Sequence, residues 1–338
     1  MKFHSRLLAL FVLSGLIQVQ AEVETRIIGG NPANTAEWPA TVALLQPTTQ
    51  PGGFFQFCGG SLVTPKWVLT AAHCVSDIQN DPSQVFALTG ATNLETEGVM
   101  MVVTNIFINE DYNPATSDSD IALLELANNA PAPADTISLF VGDPVAGALA
   151  TVVGWGTTAF DVNTGQSSTP SAQLLEVEVP IIEQAVCNNI YANQITDNMI
   201  CAGDLTNGGI DSCQGDSGGP LMAQQGGAFR QIGVVSFGTG CALPNLPGVY
   251  TRVDRFSNWI ETITENTGGS GGGSGGGGSS SGGTTPLPTG SGGTPLPTGT
   301  SGSGGDDGGG GGGAIHWLFL PLMFTGLLRP SIWKNRHS

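Results

Sequence analysis

Apolar positions along this chain come in short runs that are repeatedly interrupted. Thr41 to Leu45, Trp67 to Thr70, Val85 to Thr89, Val99 to Ile106, Ile121 to Leu126, Ala150 to Val153, Leu174 to Val179 and Gln231 to Ser236 are rich in β-branched or apolar side chains. Each run is bounded by Gly, Pro, Asn or Asp, so the pattern predicts short strands joined by irregular loops. Such a set packs as a barrel or a sandwich. One segment differs. Asp254 to Thr264 places Phe256, Trp259, Ile260 and Ile263 at helical spacing, which predicts a single amphipathic helix closing the patterned region.

That region has clear limits. From Ile27 to Asn266 the composition is mixed, whereas from Thr267 to Gly313 nearly every residue is Gly, Ser, Thr, Pro or Asp. The second stretch cannot bury enough apolar surface to fold, so 267–313 reads as a disordered linker after one ordered domain at 27–266. Within the linker Thr285-Pro286-Leu287-Pro288-Thr289-Gly290 recurs as Thr294 to Gly299, a low-complexity repeat with local polyproline stiffness. Ahead of the domain, Lys2 and Arg6, the apolar run Leu7 to Ile17 and Val19-Gln20-Ala21 come in the order of a secretory signal, assigned to residues 1–21.

Export changes how the cysteines are read. Cys58, Cys74, Cys187, Cys201, Cys213 and Cys241 all lie in the domain, an even set in a compartment where disulfides persist, so three bridges are expected among fifteen possible pairings. A zinc site is disfavoured, because the domain has no Cys-x-x-Cys pair and one histidine. The formal net charge is −17, and Lys66, Arg230, Arg252 and Arg255 are the basic side chains between Ile27 and Asn266. Nucleic acid and anionic membrane surfaces are poor partners for such a domain.

The candidate chemistry is acyl transfer. A serine nucleophile needs a base, a group that orients the base, and donors for the developing oxyanion. His73 is the base candidate, in Thr70-Ala71-Ala72-His73-Cys74, where small residues leave room around the ring. Ser217 is the nucleophile candidate, in Gly215-Asp216-Ser217-Gly218-Gly219-Pro220. Glycines on both sides permit a sharp turn that brings the Gly215 and Ser217 amides toward one point, an oxyanion hole. For the orienting acid, chemistry alone leaves Asp118 and Asp120 open. Asp120 is preferred because it precedes the apolar run Ile121 to Leu124, with Asp118 expected to face solvent.

These blocks, together with Arg26-Ile27-Ile28-Gly29-Gly30, Asp120-Ile121-Ala122-Leu123-Leu124, Gly154-Trp155-Gly156 and Pro247-Gly248-Val249-Tyr250-Thr251-Arg252-Val253, resemble the trypsin-like branch of the chymotrypsin family of serine proteases. The resemblance covers about 27 to 266. It implies an all-β fold of two packed six-stranded antiparallel barrels with a C-terminal helix, a triad of His73, Asp120 and Ser217, and bridges Cys58–Cys74, Cys187–Cys201 and Cys213–Cys241. It also implies a substrate pocket with Asp211 at its base and Gly238 and Gly248 in its walls, hence protein or peptide substrates with Arg or Lys at the cleaved bond. Phe237 departs from the family's usual Trp, which is expected to alter subsite fit and keep the charge preference.

Activation is implied by Arg26 before Ile27. Residues 22–26 would be a propeptide, and the new amino group, with a reference pKa of about 7.7 to 8.0, would pair with Asp216. Cleavage after Arg leaves room for self-activation. The family's calcium loop is shortened after Gly90, with Ala91 where a carboxylate is expected, so no metal and no cofactor are required even though Glu95 and Glu97 are near. A monomer is expected. Beyond the linker, the apolar span Ala314 to Leu328 and the basic end with Arg329, Lys334 and Arg336 form a tail at 314–338. It resembles the Gly-rich GlyGly-CTERM sorting tail that a membrane protease removes; a retained anchor and a GPI signal are the alternatives. Location at the cell surface or in the medium follows.

Overall fold

The computed structural model describes residues 27–161 and 163–266. The expected signal segment, propeptide, linker and tail lie outside the described residues. Among those described, no helix is long and apolar enough to cross a membrane.

In chain order the strands are β1 (Asn31–Pro32), β2 (Thr41–Pro47), β3 (Phe54–Thr64), β4 (Trp67–Thr70), β5 (Phe86–Thr89), β6 (Val99–Ile108) and β7 (Ala122–Leu126). They continue as β8 (Leu149–Gly154), β9 (Phe160–Asp161), β10 (Gln166–Ser167), β11 (Leu175–Ile182), β12 (Met199–Ala202), β13 (Pro220–Gln225), β14 (Ala228–Phe237) and β15 (Gly248–Arg252). The first barrel closes in the order β2-β3-β4-β7-β6-β5. The second runs β11-β12-β15-β14-β13-β8 and closes because β8 also pairs with β11; β1 adds to β11 at its margin. All these pairings are antiparallel, so the fold is the expected pair of six-stranded barrels. Among the described residues three α-helices accompany them: α1 (Ala72–Val75), α2 (Gln184–Ile190) and α3 (Ser257–Asn266).

The short apolar and β-branched runs placed eight strands well, with ends that shift by a few residues. The expected C-terminal helix is α3, preceded by a 3-10 turn at Val253–Phe256. β3, β12, β13 and β15 escape the pattern. β3 carries Gly59-Gly60 in its middle, β13 opens on Pro220 and β15 on Gly248, all of which read as strand breakers. In the fold these glycines mark close backbone approach. A Cβ on Gly60 would lie 2.7 Å from Val68 Cγ1, and one on Gly59 would lie 3.0 Å from Gly219 Cα in the other barrel.

Each barrel has its own core. Val42, Leu44, Leu62, Val68 and Leu124 fill the first, and Val152, Val177, Val179, Leu221 and Tyr250 the second. A fully buried Leu, Ile or Val contributes roughly 1.5–3 kcal/mol, so either set is substantial. Two further clusters join the barrels. Trp38 and Leu45 pack with Trp155 and Met222, while Phe256, just before α3, and Ile260 within it pack with Trp67, Leu69 and Leu123 of the first barrel. The seam they clamp carries the candidate site.

Candidate active site

His73 sits in α1, one turn long, immediately after β4; its neighbours Ala71 and Ala72 are fully buried. Its Nδ1 is 2.7 Å from Asp120 Oδ2, and its backbone N–H donates to Asp120 Oδ1 at 2.8 Å. Asp120 is fully buried just before β7. Ser236 Oγ donates to Oδ2 at 2.5 Å and Thr251 Oγ1 to the Asp120 carbonyl at 2.8 Å, so β14 of the second barrel holds the carboxylate and β15 the backbone of a residue from the first. An acceptor at Nδ1 selects the tautomer protonated there and leaves Nε2 free as a base. Ser236 and Thr251 carried no signal in the sequence. Asp118 does not face solvent as expected. It is half-buried and accepts from Thr196 Oγ1 at 2.5 Å and Asn198 Nδ2 at 3.2 Å, because the loop before β7 folds against the segment before β12.

Ser217 lies at the seam, in the turn that leads into β13. Gly215 and Gly218 have φ of +97° and +78°, left-handed conformations that favour glycine. A Cβ on Gly218 would stand 2.2 Å from Thr70 Oγ1 and 2.6 Å from the Gly59 carbonyl. The Gly59 N–H donates to the Ser217 carbonyl at 2.7 Å, which ties the turn to β3. The amides of Gly215 and Ser217 make no hydrogen bond among the described residues. Cys58–Cys74 bridges β3 to α1 beside His73, Cys187–Cys201 links α2 to β12, and Cys213–Cys241 braces the loops beyond Ser217. These are the three pairings that the resemblance implied.

Next to Ser217 a cavity of about 230 Å³ is lined by Asp211, Ser217, Phe237, Gly238, Cys241 and Gly248. Asp211 is 3 % exposed; the Ala242 N–H donates to Oδ2 at 2.9 Å, and Ser212 Oγ lies 3.5 Å from Oδ1. Burial first, then the nearby Asp216 carboxylate, push its carboxyl up to about 7 against the pull of these donors. Among the described residues no cation pairs with it. A Cβ on Gly248 would lie 2.8 Å from Asp211 Oδ1, while Gly238 has open space of ordinary contact distance. Phe237 meets Tyr191 edge-on at 5.9 Å, and Tyr191 Oη donates to the Pro247 carbonyl at 2.7 Å, which fixes that wall. Larger cavities lie beside α3 and beside Trp38, away from these side chains.

The segment after Arg26, which itself lies outside the described residues, runs along the same loops. Ile27 is fully buried with the second barrel's core at φ +66°, a strained conformation for a β-branched residue. Ile28 bridges to Asp211, whose N–H donates to the Ile28 carbonyl at 3.3 Å. Asp216, 1 % exposed, accepts from the Gly156 N–H at 2.8 Å and the Cys213 N–H at 3.0 Å. Burial pushes its carboxyl up to about 6. Gly154 and Gly156 cradle it: a Cβ on either would stand 2.3 Å or 2.1 Å from a carboxylate oxygen. Glu97 turns into its own loop, accepting from the Thr92 N–H at 2.8 Å. Among the described residues, Cys58, His73 and Cys74 are close enough to share a metal ion, but both cysteines are joined in a disulfide and offer no thiolate.

A family model described as Trypsin matches residues 27–260, the span that holds both barrels and every side chain named above. The chain belongs to the trypsin family. Its relatives include a tryptase of Mus musculus, 39% identical over 276 residues that cover 75% of this chain and 95% of the relative. Another is Trypsin Tyr p 3.0101 of Tyrophagus putrescentiae, 39% identical over 256 residues, with 72% and 84% covered. This trypsin-family chain is thus a serine endopeptidase, a hydrolase acting on protein substrates.

Proposed function

We propose that this trypsin-family protein is an exported endopeptidase that cleaves after Arg or Lys and is made as a zymogen opened after Arg26. One observation carries the specificity: a buried carboxyl, Asp211, without a cationic partner among the described residues, lies in the cavity that also holds Ser217. A guanidinium or ammonium head group would supply the missing charge and donors.

In the reaction Ser217 Oγ attacks the scissile carbonyl carbon while His73 Nε2 takes the hydroxyl proton. The carbonyl oxygen becomes an oxyanion that accepts from the Gly215 and Ser217 amides. Asp120 holds the imidazolium thus formed. Collapse breaks the C–N bond, His73 passes its proton to the leaving amine, and water, deprotonated by His73, releases the acyl group in a second, equivalent cycle. Asp216 is buried against two amides with no cationic partner among the described residues; an amino group freed at Ile27 would pair with it and order the Gly215 turn. The adjacency of Ile28 to Asp211 supports this, because it brings the segment after Arg26 to the loop that holds one of the two buried acids.

Residues 1–21, 22–26, 267–313 and 314–338 keep their assignments as signal, propeptide, linker and sorting tail, with the protease domain working as a monomer in the medium or at the cell surface. The test pairs peptides that differ at the residue before the cleaved bond. Arg and Lys peptides should be hydrolysed, and a fluorophosphonate probe should label Ser217; hydrolysis of Phe or Leu peptides instead would discard the pocket assignment. Intact mass of the protein from its own host should begin at Ile27 and lack the tail.

A further inference from the structure

Gln56, near the start of β3, neighbours the Gly215 turn. Its Nε2 donates to the Gly215 carbonyl at 2.6 Å and to the Cys58 carbonyl at 3.0 Å. Its Oε1 is buried without a hydrogen-bond partner. Two carbonyl oxygens admit only an N–H donor between them, so the orientation of this amide follows from its partners. The orphaned oxygen is the cost of that orientation, since a buried acceptor left without a donor destabilises the fold. An apolar side chain of similar volume would avoid it. What the amide gains is a fixed Gly215.

Gly215 is held on both flanks. The Gln214 carbonyl accepts from the Thr157 N–H at 2.7 Å, and in a trans peptide the Gly215 N–H on the same plane points the opposite way. The next plane carries the Gly215 carbonyl that Gln56 grips. Between them lies a glycine at φ +97°, the residue type with the greatest freedom to rotate. A Cβ there would come within 3.2 Å of Gln56 Oε1, so the two residues are in direct contact. Releasing either grip frees the Gly215 amide to turn away.

We propose that Gln56 is a positioning residue for the oxyanion hole: by holding the Gly215 carbonyl it keeps the Gly215 N–H aimed at the oxyanion formed on attack by Ser217. This rests on the reading of Ser217 as nucleophile and Gly215 as donor. Gln56 itself touches neither substrate nor reacting atoms. Its effect therefore belongs to the transition state and not to the Asp211 pocket.

The experiment uses the full chain cut after Arg26, with rates normalised to titrated active sites. Gln56→Met keeps the volume and removes both donors; Gln56→Glu sets carboxylate oxygens against two carbonyls. Two inhibitors separate hole from pocket. A peptide ending in arginine aldehyde gains a bond from Ser217 Oγ to its carbonyl carbon, placing the former carbonyl oxygen in the hole, whereas benzamidine occupies the Asp211 pocket alone. We expect Gln56→Met to lower kcat about ten- to a hundredfold, less than loss of a direct oxyanion donor, with KM changed less than about twofold. Aldehyde affinity should fall by a similar factor and benzamidine affinity stay within about twofold. Gln56→Glu should lose at least as much and decides the matter if Gln56→Met does not fold. Equal weakening of aldehyde and benzamidine, or an unchanged kcat, would overturn the proposal. Failure of benzamidine to bind the parent enzyme would instead sink the Arg/Lys reading, and the split between kcat and KM would still judge Gln56.

Discussion

The two barrels handle their buried acids in opposite ways. The first barrel's Asp120 is fully buried yet met by the His73 ring, the His73 amide and Ser236. The second barrel's Asp211 and Asp216 are as deeply buried, receive mainly backbone N–H groups, and have carboxyls raised to about 7 and about 6. Burial without a countercharge favours the neutral acid at Asp211 and Asp216. The base and its orienting acid are thus assembled from the protein's own groups, while Asp211 and Asp216, beside nucleophile and pocket, have no cationic partner among the described residues. In the proposed account one cation is the amino group released at Ile27 and the other arrives with the substrate.

Changes to each side should separate these roles. The largest effect is expected for Asp120→Asn, which keeps the shape but favours the wrong imidazole tautomer; kcat should fall about 10⁴-fold, the loss this serine–histidine–aspartate constellation is known for, while benzamidine binding persists. Asp211→Asn should lower kcat/KM for Arg peptides by about 10² to 10³ and leave labelling of Ser217 by a fluorophosphonate largely intact. Steady-state kinetics with paired peptides, and probe labelling, check both.

A smaller effect is expected from pH. A carboxyl raised on folding contributes stability that is fully present below its unfolded value of 3.8 and is lost as pH rises through its folded value. The uncut Ser217→Ala chain should therefore lose thermal stability through Asp216 and Asp211 as pH climbs from about 4 to about 7, and Asp211→Asn should flatten part of that slope. Cutting after Arg26 should remove the Asp216 share. A melting series over this range that rises equally in all three forms would contradict the comparison.

The smallest effect concerns self-digestion. Lys66 pairs with Glu125 at 2.7 Å, Arg252 with Asp254 at 2.7 Å, Arg230 lies within β14, and Arg255 lies in the 3-10 turn before α3. None of these bonds sits in an extended surface loop, so the cut enzyme should stay intact by mass over hours in which it digests an unfolded copy of itself.

The same contrast governed what could be read in advance. β2 and β7 were legible as continuous apolar runs buried on both faces, and β11 as a run whose burial follows a period of two. β3 and β15 were hidden because Gly59, Gly60 and Gly248 serve close contacts that local pattern does not encode, and β13 because it opens on Pro220. At the site, His73 and Ser217 stood out through composition and turn chemistry, and Asp120 through its place before the apolar run together with the resemblance. Ser236, Thr251 and Gln56 were silent, since a serine, threonine or glutamine in a strand has no distinctive neighbours until the barrels meet. Asp118 was misplaced for a similar reason: its partners Thr196 and Asn198 are remote in sequence.

The most direct test is hydrolysis of an Arg peptide and its Leu counterpart by the chain before and after a single cut at Arg26. The account predicts that the cut form hydrolyses the Arg peptide at least about a hundredfold faster than the uncut form, with the Leu peptide barely turned over. Equal activity before and after the cut, or preference for Leu, would contradict it.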